Sequence, residues 1–253
     1  MAMNRFVLLL ALATLAACAQ KDAPPQATNE PAPAAPAPAA EPAGEPSRTA
    51  ALAPDVPAGD YKMDPAHSSL IFRVDHMGFS KYTLRFRRFD AQLRFDPRNL
   101  TATQLTATVD PRSIETDFPD PKYNFNGELA GPQWLDAAKF PEIAFRTTRV
   151  EDLGNQAMRV HAELSMRGVT RPIVLDATYN GGYVGHPMDP HARVGFSARG
   201  VLRRSEFGIA GGIPPVGGNM GVGDQVAIVI ESEFNGPAMA KVDGAGAATA
   251  PTQ

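Results

Sequence analysis

Ala157-Met-Arg-Val-His-Ala-Glu-Leu-Ser-Met166 sets Met158, Val160, Ala162, Leu164 and Met166 on one parity and Arg159, His161, Glu163 and Ser165 on the other. Successive side chains of a strand point to opposite faces, so this pattern predicts a strand with one buried and one wet face. The same alternation recurs on both sides. Leu70, Phe72 and Val74 alternate with Ser69, Ile71, Arg73 and Asp75, and Leu105, Ala107 and Val109 with Thr106 and Thr108. Ile143 and Phe145 open another run, and Ile173, Leu175, Ala177 and Tyr179 form the next. Val194, Phe196, Ala198 and Leu202 follow, then Val226, Ile228, Ile230 and Phe234. With an opening strand at Tyr61–Met63, the count is eight or nine strands.

In Thr83–Phe95 the phase slips. Leu84 and Phe86 share one parity, Phe89, Leu93 and Phe95 the other. One extra residue near Arg87-Arg88 restores a single apolar face, which predicts a β-bulge there, the device a strongly curved sheet needs. Only Asn126–Lys139 reads as helical. Gly131-Pro132 interrupts it, so short turns are expected, with a second at Ser113–Thr116. Such an all-β set packs as a sandwich or closes as a barrel, and closure removes exposed edges. An eight-stranded barrel is wide enough to be filled by side chains or to hold one small ligand.

The rest of the 253 residues falls outside this pattern. Residues 1–18, MAMNRFVLLLALATLAAC, carry Arg5, a short apolar run and Leu-Ala-Ala-Cys18. That is the pattern of an export signal ending in a lipobox, with Cys18 acylated. Cys18 is the only cysteine, which excludes an intrachain disulfide. By similarity to Gram-negative sorting, Ala19 points to the outer membrane. Residues 19–58 hold ten prolines and almost no large apolar side chains, so they read as a disordered tether. Residues 237–253 read as a weak tail. The intervening 59–236 carry 20 Lys/Arg against 21 Asp/Glu. That balance lacks the basic excess of a nucleic-acid binder.

Catalytic patterns are missing. There is no His-x-x-x-His, His-Glu-x-x-His or Gly-x-Ser-x-Gly, and no cofactor motif. Gly211–Gly218 is Gly/Pro-rich but lacks the Gly-Lys-Ser/Thr of a phosphate loop, and reads as a flap over a barrel mouth. His186, Asp189 and His191 are a weak metal candidate. Arg85, Arg87 and Arg88, with Arg203 and Arg204, could meet a pyrophosphate or an anionic lipid surface, although a solvated face explains them as well.

Asp64-Pro-Ala-His67-Ser68 and Phe72-Arg-Val-Asp-His76-Met-Gly78-Phe-Ser80 resemble the opening of the YceI-like proteins. Ser113-Ile-Glu-Thr116, Trp134-Leu-Asp-Ala-Ala-Lys-Phe-Pro141, Leu164-Ser-Met-Arg-Gly168-Val-Thr170, Ser205-Glu-Phe-Gly208 and Asp224-Gln-Val226 follow in order, so the resemblance covers 59–235. It implies an eight-stranded antiparallel, extended lipocalin-like barrel with one or two short helices. It also implies an isoprenoid lipid of quinone or prenyl phosphate type in an apolar lumen, and no catalytic residues. Many members carry Arg-Asp-x-His-Leu where this chain has Phe125-Asn126-Gly127-Glu128-Leu129. Asn126 and Glu128, with His76 at a strand end, are therefore the head-group candidates. The lumen candidates are Leu70, Phe72, Val74, Phe86, Val109, Trp134, Phe145, Val160, Leu164, Leu175, Phe196, Ile228 and Ile230. The expected protein is a periplasmic, membrane-tethered carrier whose partners are the lipid and the membrane, with a homodimer an allowed arrangement. The opposing reading, from the same residues, is an envelope stress or interaction protein whose filled barrel is a scaffold without cargo.

Overall fold

A computed structural model describes residues 56–185 and 187–238. The expected signal, Cys18, all of the tether but its last three residues, the tail past Ala238 and His186 lie outside the described residues. The described residues form ten strands: β1 Gly59–His76, β2 Ser80–Phe86, β3 Phe89–Phe95, β4 Gln104–Val109, β5 Ile114–Glu115, β6 Ile143–Gly154, β7 Ala157–Met166, β8 Val169–Tyr183, β9 His191–Arg203 and β10 Val222–Ala238. One α-helix, α1, spans Phe125–Ala130. Single 3₁₀ turns lie at Leu100–Ala102, Pro111–Ser113 and Arg204–Phe207.

Eight strands close a ring in the order β1-β3-β4-β6-β7-β8-β9-β10, and β10 pairs back onto β1. All pairings are antiparallel. β2 and β5 lie outside this ring. β1 pairs with β3 through Gly59–Lys62 and with β2 through Leu70–His76, on the same edge. β5 then pairs with Phe86 and Arg85 of β2.

The phase slip in Thr83–Phe95 is therefore a break rather than a bulge. Arg87 and Arg88 leave the sheet between β2 and β3. Their backbone is held by the 3₁₀ turn: Arg87 N–H donates to Ser113 O and Arg88 N–H to Ser113 Oγ, both at 3.0 Å. The irregularity on the partner strand sits alongside. Asp64 pairs with Glu233 and Ser69 with Glu231, so β1 carries three extra residues against β10 there. Asp64 Oδ1 accepts Ala66 N–H at 2.9 Å, and Ser68 Oγ accepts Glu233 N–H at 3.2 Å. The Asp64–Ser68 motif is thus the bulge of β1, a local side-chain turn that lets a long strand bend.

At one end the barrel interior is solid. Tyr61, Phe95, Tyr179, Phe196 and Phe234 interlock, with ring centroids 5.0–6.3 Å apart and mostly inclined rings. Gly236 makes this packing feasible, because a Cβ there would stand 2.1 Å from the Tyr61 ring. Val56 is fully buried in this cluster. Val56, placed by the sequence in the tether, thus packs in the core, and β10 continues to Ala238, which pairs with His191.

At the other end a different wall takes over. β2 and β5 extend from the upper half of β1, and α1 packs on Ile114 and Leu84 through Leu129. Asn124 caps α1 by accepting Gly127 N–H at 2.9 Å. Gly131 ends it, as the Gly-Pro break predicts.

Candidate functional site: an apolar cavity open at one end

The half of the barrel away from the aromatic plug holds a cavity of about 630 Å³, within the roughly 300–1,000 Å³ of small-molecule sites. Its floor is Met63 and Phe234, and its walls come from every strand of the ring together with β2, β5 and α1. Leu70, Phe72, Val74, Phe86, Val109, Trp134, Phe145, Leu164, Leu175, Ile228 and Ile230 all line it. Val160 and Phe196 do not. Both pack in the solid half. Val160 shares a face of β7 with Leu164, and Phe196 is a member of the plug. Alternation states which face a side chain occupies, not how far along the barrel axis it lies.

The opening is at the end where β1 turns into β2. Phe118 belongs to the lining yet is 43% exposed, so the cavity reaches the surface there. Around it runs a chain of rings: His76 to Tyr82 at 6.5 Å, Tyr82 to Phe125 at 6.2 Å, Phe125 to Phe118 at 5.3 Å. Tyr82 OH donates to Thr116 O at 3.3 Å, which ties this rim to the segment after β5.

Among the described residues the lining contains no carboxylate. Its polar members are His76, Tyr82, Trp134, Arg204 and Ser232. Arg204 is the least expected. It is 5% exposed and donates to four backbone carbonyls: Gly223 and Ile209 at 2.8 and 3.0 Å, Gly211 at 2.8 Å and Val222 at 2.7 Å. Its guanidinium lies 5.5 Å from the Trp134 ring centre, a cation–π contact. Desolvation lowers its pKa from the ordinary arginine value, yet a guanidinium remains charged at any physiological pH. Its place in the Arg203-Arg204 pair gave only a weak sign of this role, since nothing local marks which of the two turns inward.

The head-group candidates separate. His76 lines the cavity at its rim. Asn126 and Glu128 do not line it. Asn126 Oδ1 accepts both Thr116 N–H at 3.0 Å and Thr116 Oγ1–H at 2.7 Å, so it fastens α1 to the segment after β5. Glu128 is exposed and accepts the Tyr123 hydroxyl. The arginine cluster also separates. Arg85 and Arg87 pair with Glu115, Arg88 with Asp110 at 2.8 Å, and Arg203 with Asp224 at 2.9 Å. Residues 210–221 flank the mouth without lining it, so they do not cover the cavity as a flap.

A second polar cluster lies outside the cavity. Asp64, His67 and Glu233 converge, but Arg193 occupies their centre, donating to Asp64 Oδ2 at 2.8 Å and Glu233 Oε2 at 2.7 Å. His67 Nδ1 lies 2.8 Å from Asp64 Oδ2. The hydrogen bond from His67, then that from Arg193, hold the Asp64 carboxyl well below the usual carboxylate range against the opposing effect of desolvation. An arginine already neutralises the place a cation would take. Asp189, one of the three residues of the weak metal candidate, accepts from Arg193 at 3.3 Å and from the Tyr183 hydroxyl.

The barrel thus combines a solid plug, an apolar cavity and a mouth at the β1–β2 end. The YceI-like domain model matches residues 61–234. The chain belongs to the YceI-like family. A UPF0312 protein of Vibrio cholerae is 33% identical over 156 residues, covering 60% of this chain and 78% of the relative. A UPF0312 protein of Shewanella oneidensis is 32% identical over 158 residues, 61% and 78% of the two chains. Among solved structures, BcnA of Burkholderia cenocepacia superposes with a TM-score of 0.57 at 21% identity, over 68% of this chain and 98% of its own. A polyisoprenoid-binding domain from Saccharophagus degradans superposes with a TM-score of 0.51 at 13% identity, over 72% and 100%. These two likenesses show a shared barrel fold.

Proposed function

We propose that this YceI-like domain binds an isoprenoid lipid, of quinone or prenyl phosphate type, and exchanges it with membranes. The observation that carries the reading is the cavity: large, lined by apolar side chains without a carboxylate, and open at one end only. The polyisoprenoid-binding domain from Saccharophagus degradans shares the barrel fold, which fits that lining. The polyprenyl tail lies toward Met63 and Phe234. The head group stays at the mouth, where His76, Tyr82 and Arg204 supply the polar contacts. Burying a methylene gains about 0.8 kcal/mol relative to water, but a membrane lipid does not start in water. Transfer between bilayer and cavity is therefore near neutral, as a carrier requires. The Cys18 acyl anchor, the tether and an outer-membrane, periplasmic placement complete the reading, since more than one acyl chain gives stable attachment. Chemistry on the lipid is no part of the proposal.

The test is organic extraction of the purified full chain and mass spectrometry of the extract. A prenyl lipid at one per chain is expected. A clean extract, from protein that also fails to take up added ubiquinone, would overturn the carrier reading and leave the barrel as a scaffold.

A further inference from the structure

The mouth of the cavity is surrounded by apolar side chains that face water. Phe79, on the turn between β1 and β2, is 78% exposed, and Met220 is 68% exposed. Val216 is wholly exposed. The two segments are joined. Met77 N–H donates to Gly221 O at 2.8 Å, and Gly78 lies against Asn219. The turn is tight, with Met77 and Gly78 both at positive φ (55° and 71°), so Phe79 is held at its tip. Arg204 fixes both ends of the second segment through its bonds to Ile209, Gly211, Val222 and Gly223. Phe118 and Tyr123 add two half-exposed rings on the same rim.

Charge supports one occupant. The fifteen residues Ile209–Gly223 contain no Asp, Glu, Lys or Arg. The nearest cation of the turn, Lys81, is paired with Asp75 at 2.9 Å. A protein partner for such protrusions needs matching pockets and a polar edge. A bilayer needs only uncharged tips that carry apolar groups below the head groups.

We propose that this end docks on a phospholipid bilayer, with Phe79, Val216 and Met220 inserted and the cavity mouth facing the membrane. The cargo then passes between bilayer and cavity without crossing water. This rests on the carrier reading for its purpose, but not for its labelling test. The contact is apolar, so it should be insensitive to salt.

The experiment uses the full chain with Cys18→Ser, which leaves an introduced cysteine as the only thiol. A nitroxide is attached at Val216→Cys, or at Leu153→Cys near the end of β6, at the solid end. Each is mixed with vesicles of phosphatidylcholine and phosphatidylglycerol. The expected result is that the label at 216 becomes shielded from an aqueous relaxant and accessible to oxygen, while the label at 153 stays in water. Both labels in water, or both in hydrocarbon, would overturn the docking. A second variant keeps it falsifiable without labels. Phe79→Ser/Val216→Ser/Met220→Ser should retain its extractable lipid yet exchange it with vesicles roughly tenfold or more slowly. Unchanged exchange would also overturn it. Insertion at 216 in a chain whose extract is clean would sink the carrier reading alone. Lipid in the extract with 216 in water would sink the docking alone.

Discussion

The two ends of this barrel share their strands but not their interiors. At the end of Tyr61 and Phe95, β1 is flanked by β3, the ring has eight strands, and five interlocked aromatic rings fill it. At the end of His76, β1 is flanked by β2, β5 follows, and α1 closes the wall. Aromatic residues face inward at both ends, so composition alone does not empty the cavity. Wall length does, because a barrel widens with the elements around it. The break at Arg87-Arg88 and the bulge at Asp64–Ser68 lie where one wall gives way to the other, and they permit the change.

The comparison breaks most readily on paired truncations. Phe196→Ala deletes a plug member among fixed neighbours and should cost about 3–5 kcal/mol of stability. Phe145→Ala removes a ring that already borders empty space, so only the lost burial counts, about 1–2 kcal/mol. Denaturant midpoints at constant slope measure both. Equal losses would mean that the cavity end is as tightly packed as the plug.

Enlargement reverses the test. Ala192 is fully buried in the solid half. Ala192→Phe overpacks it and should cost about 1–3 kcal/mol. Ala107 lines the cavity. Ala107→Phe should cost less than about 1 kcal/mol, because space for the ring exists, while ubiquinone uptake falls. A stable Ala192→Phe, or an Ala107→Phe that unfolds, would contradict the division.

Titration separates the ends as well. Asp64 and Tyr61 both lie toward the solid end. The Asp64 carboxyl is depressed, so its contribution is present above the unfolded value of about 3.9 and is lost as pH falls through the lower folded value. Asp64→Asn should cost about 1–3 kcal/mol near neutrality and flatten the acid limb of the stability curve below pH ~4. Burial, then the neighbouring Tyr179, push the Tyr61 hydroxyl up to about 12. The unfolded chain therefore loses that proton first, and stability should fall as pH rises above about 10. Ala107→Phe should leave both limbs unchanged.

Much of this division was hidden in the sequence. Period two placed Val160 and Leu164 on one face of β7, and that is correct. It could not say that one belongs to the solid half and the other to the cavity, because depth along the axis is set by register between strands. The phase slip at Thr83–Phe95 was legible, while its form as a break depends on β5 and the Pro111–Ser113 turn, distant in the chain. Asn126 is a head-group candidate only through its place in the stretch that resembles the family's Arg-Asp-x-His-Leu, and its oxygen is occupied by Thr116. Val56 sits in a Pro/Ala-rich context that gives no local sign of burial. In the sequence Arg204 shows only its charge. Its partners are carbonyls, which no side-chain pattern can announce.

Tyr179 offers the smallest effect and the closest reading of the plug. Its ring packs against Phe95 at 5.0 Å and Phe196 at 5.4 Å. Its hydroxyl is buried and has no hydrogen-bond partner among the described residues, and burial raises its pKa. Tyr61, by contrast, donates to Pro57 O at 2.5 Å. Replacing each by Phe keeps the ring and deletes only the oxygen. Tyr61→Phe loses a made bond and should cost about 1 kcal/mol. Tyr179→Phe removes an unsatisfied polar atom, so it should range from neutral to a gain of about 1 kcal/mol. Thermal unfolding of the two variants side by side reads the sign directly. A loss at Tyr179→Phe matching that at Tyr61→Phe would mean that the hydroxyl has a bound water, and that the solid end contains a wet pocket of its own.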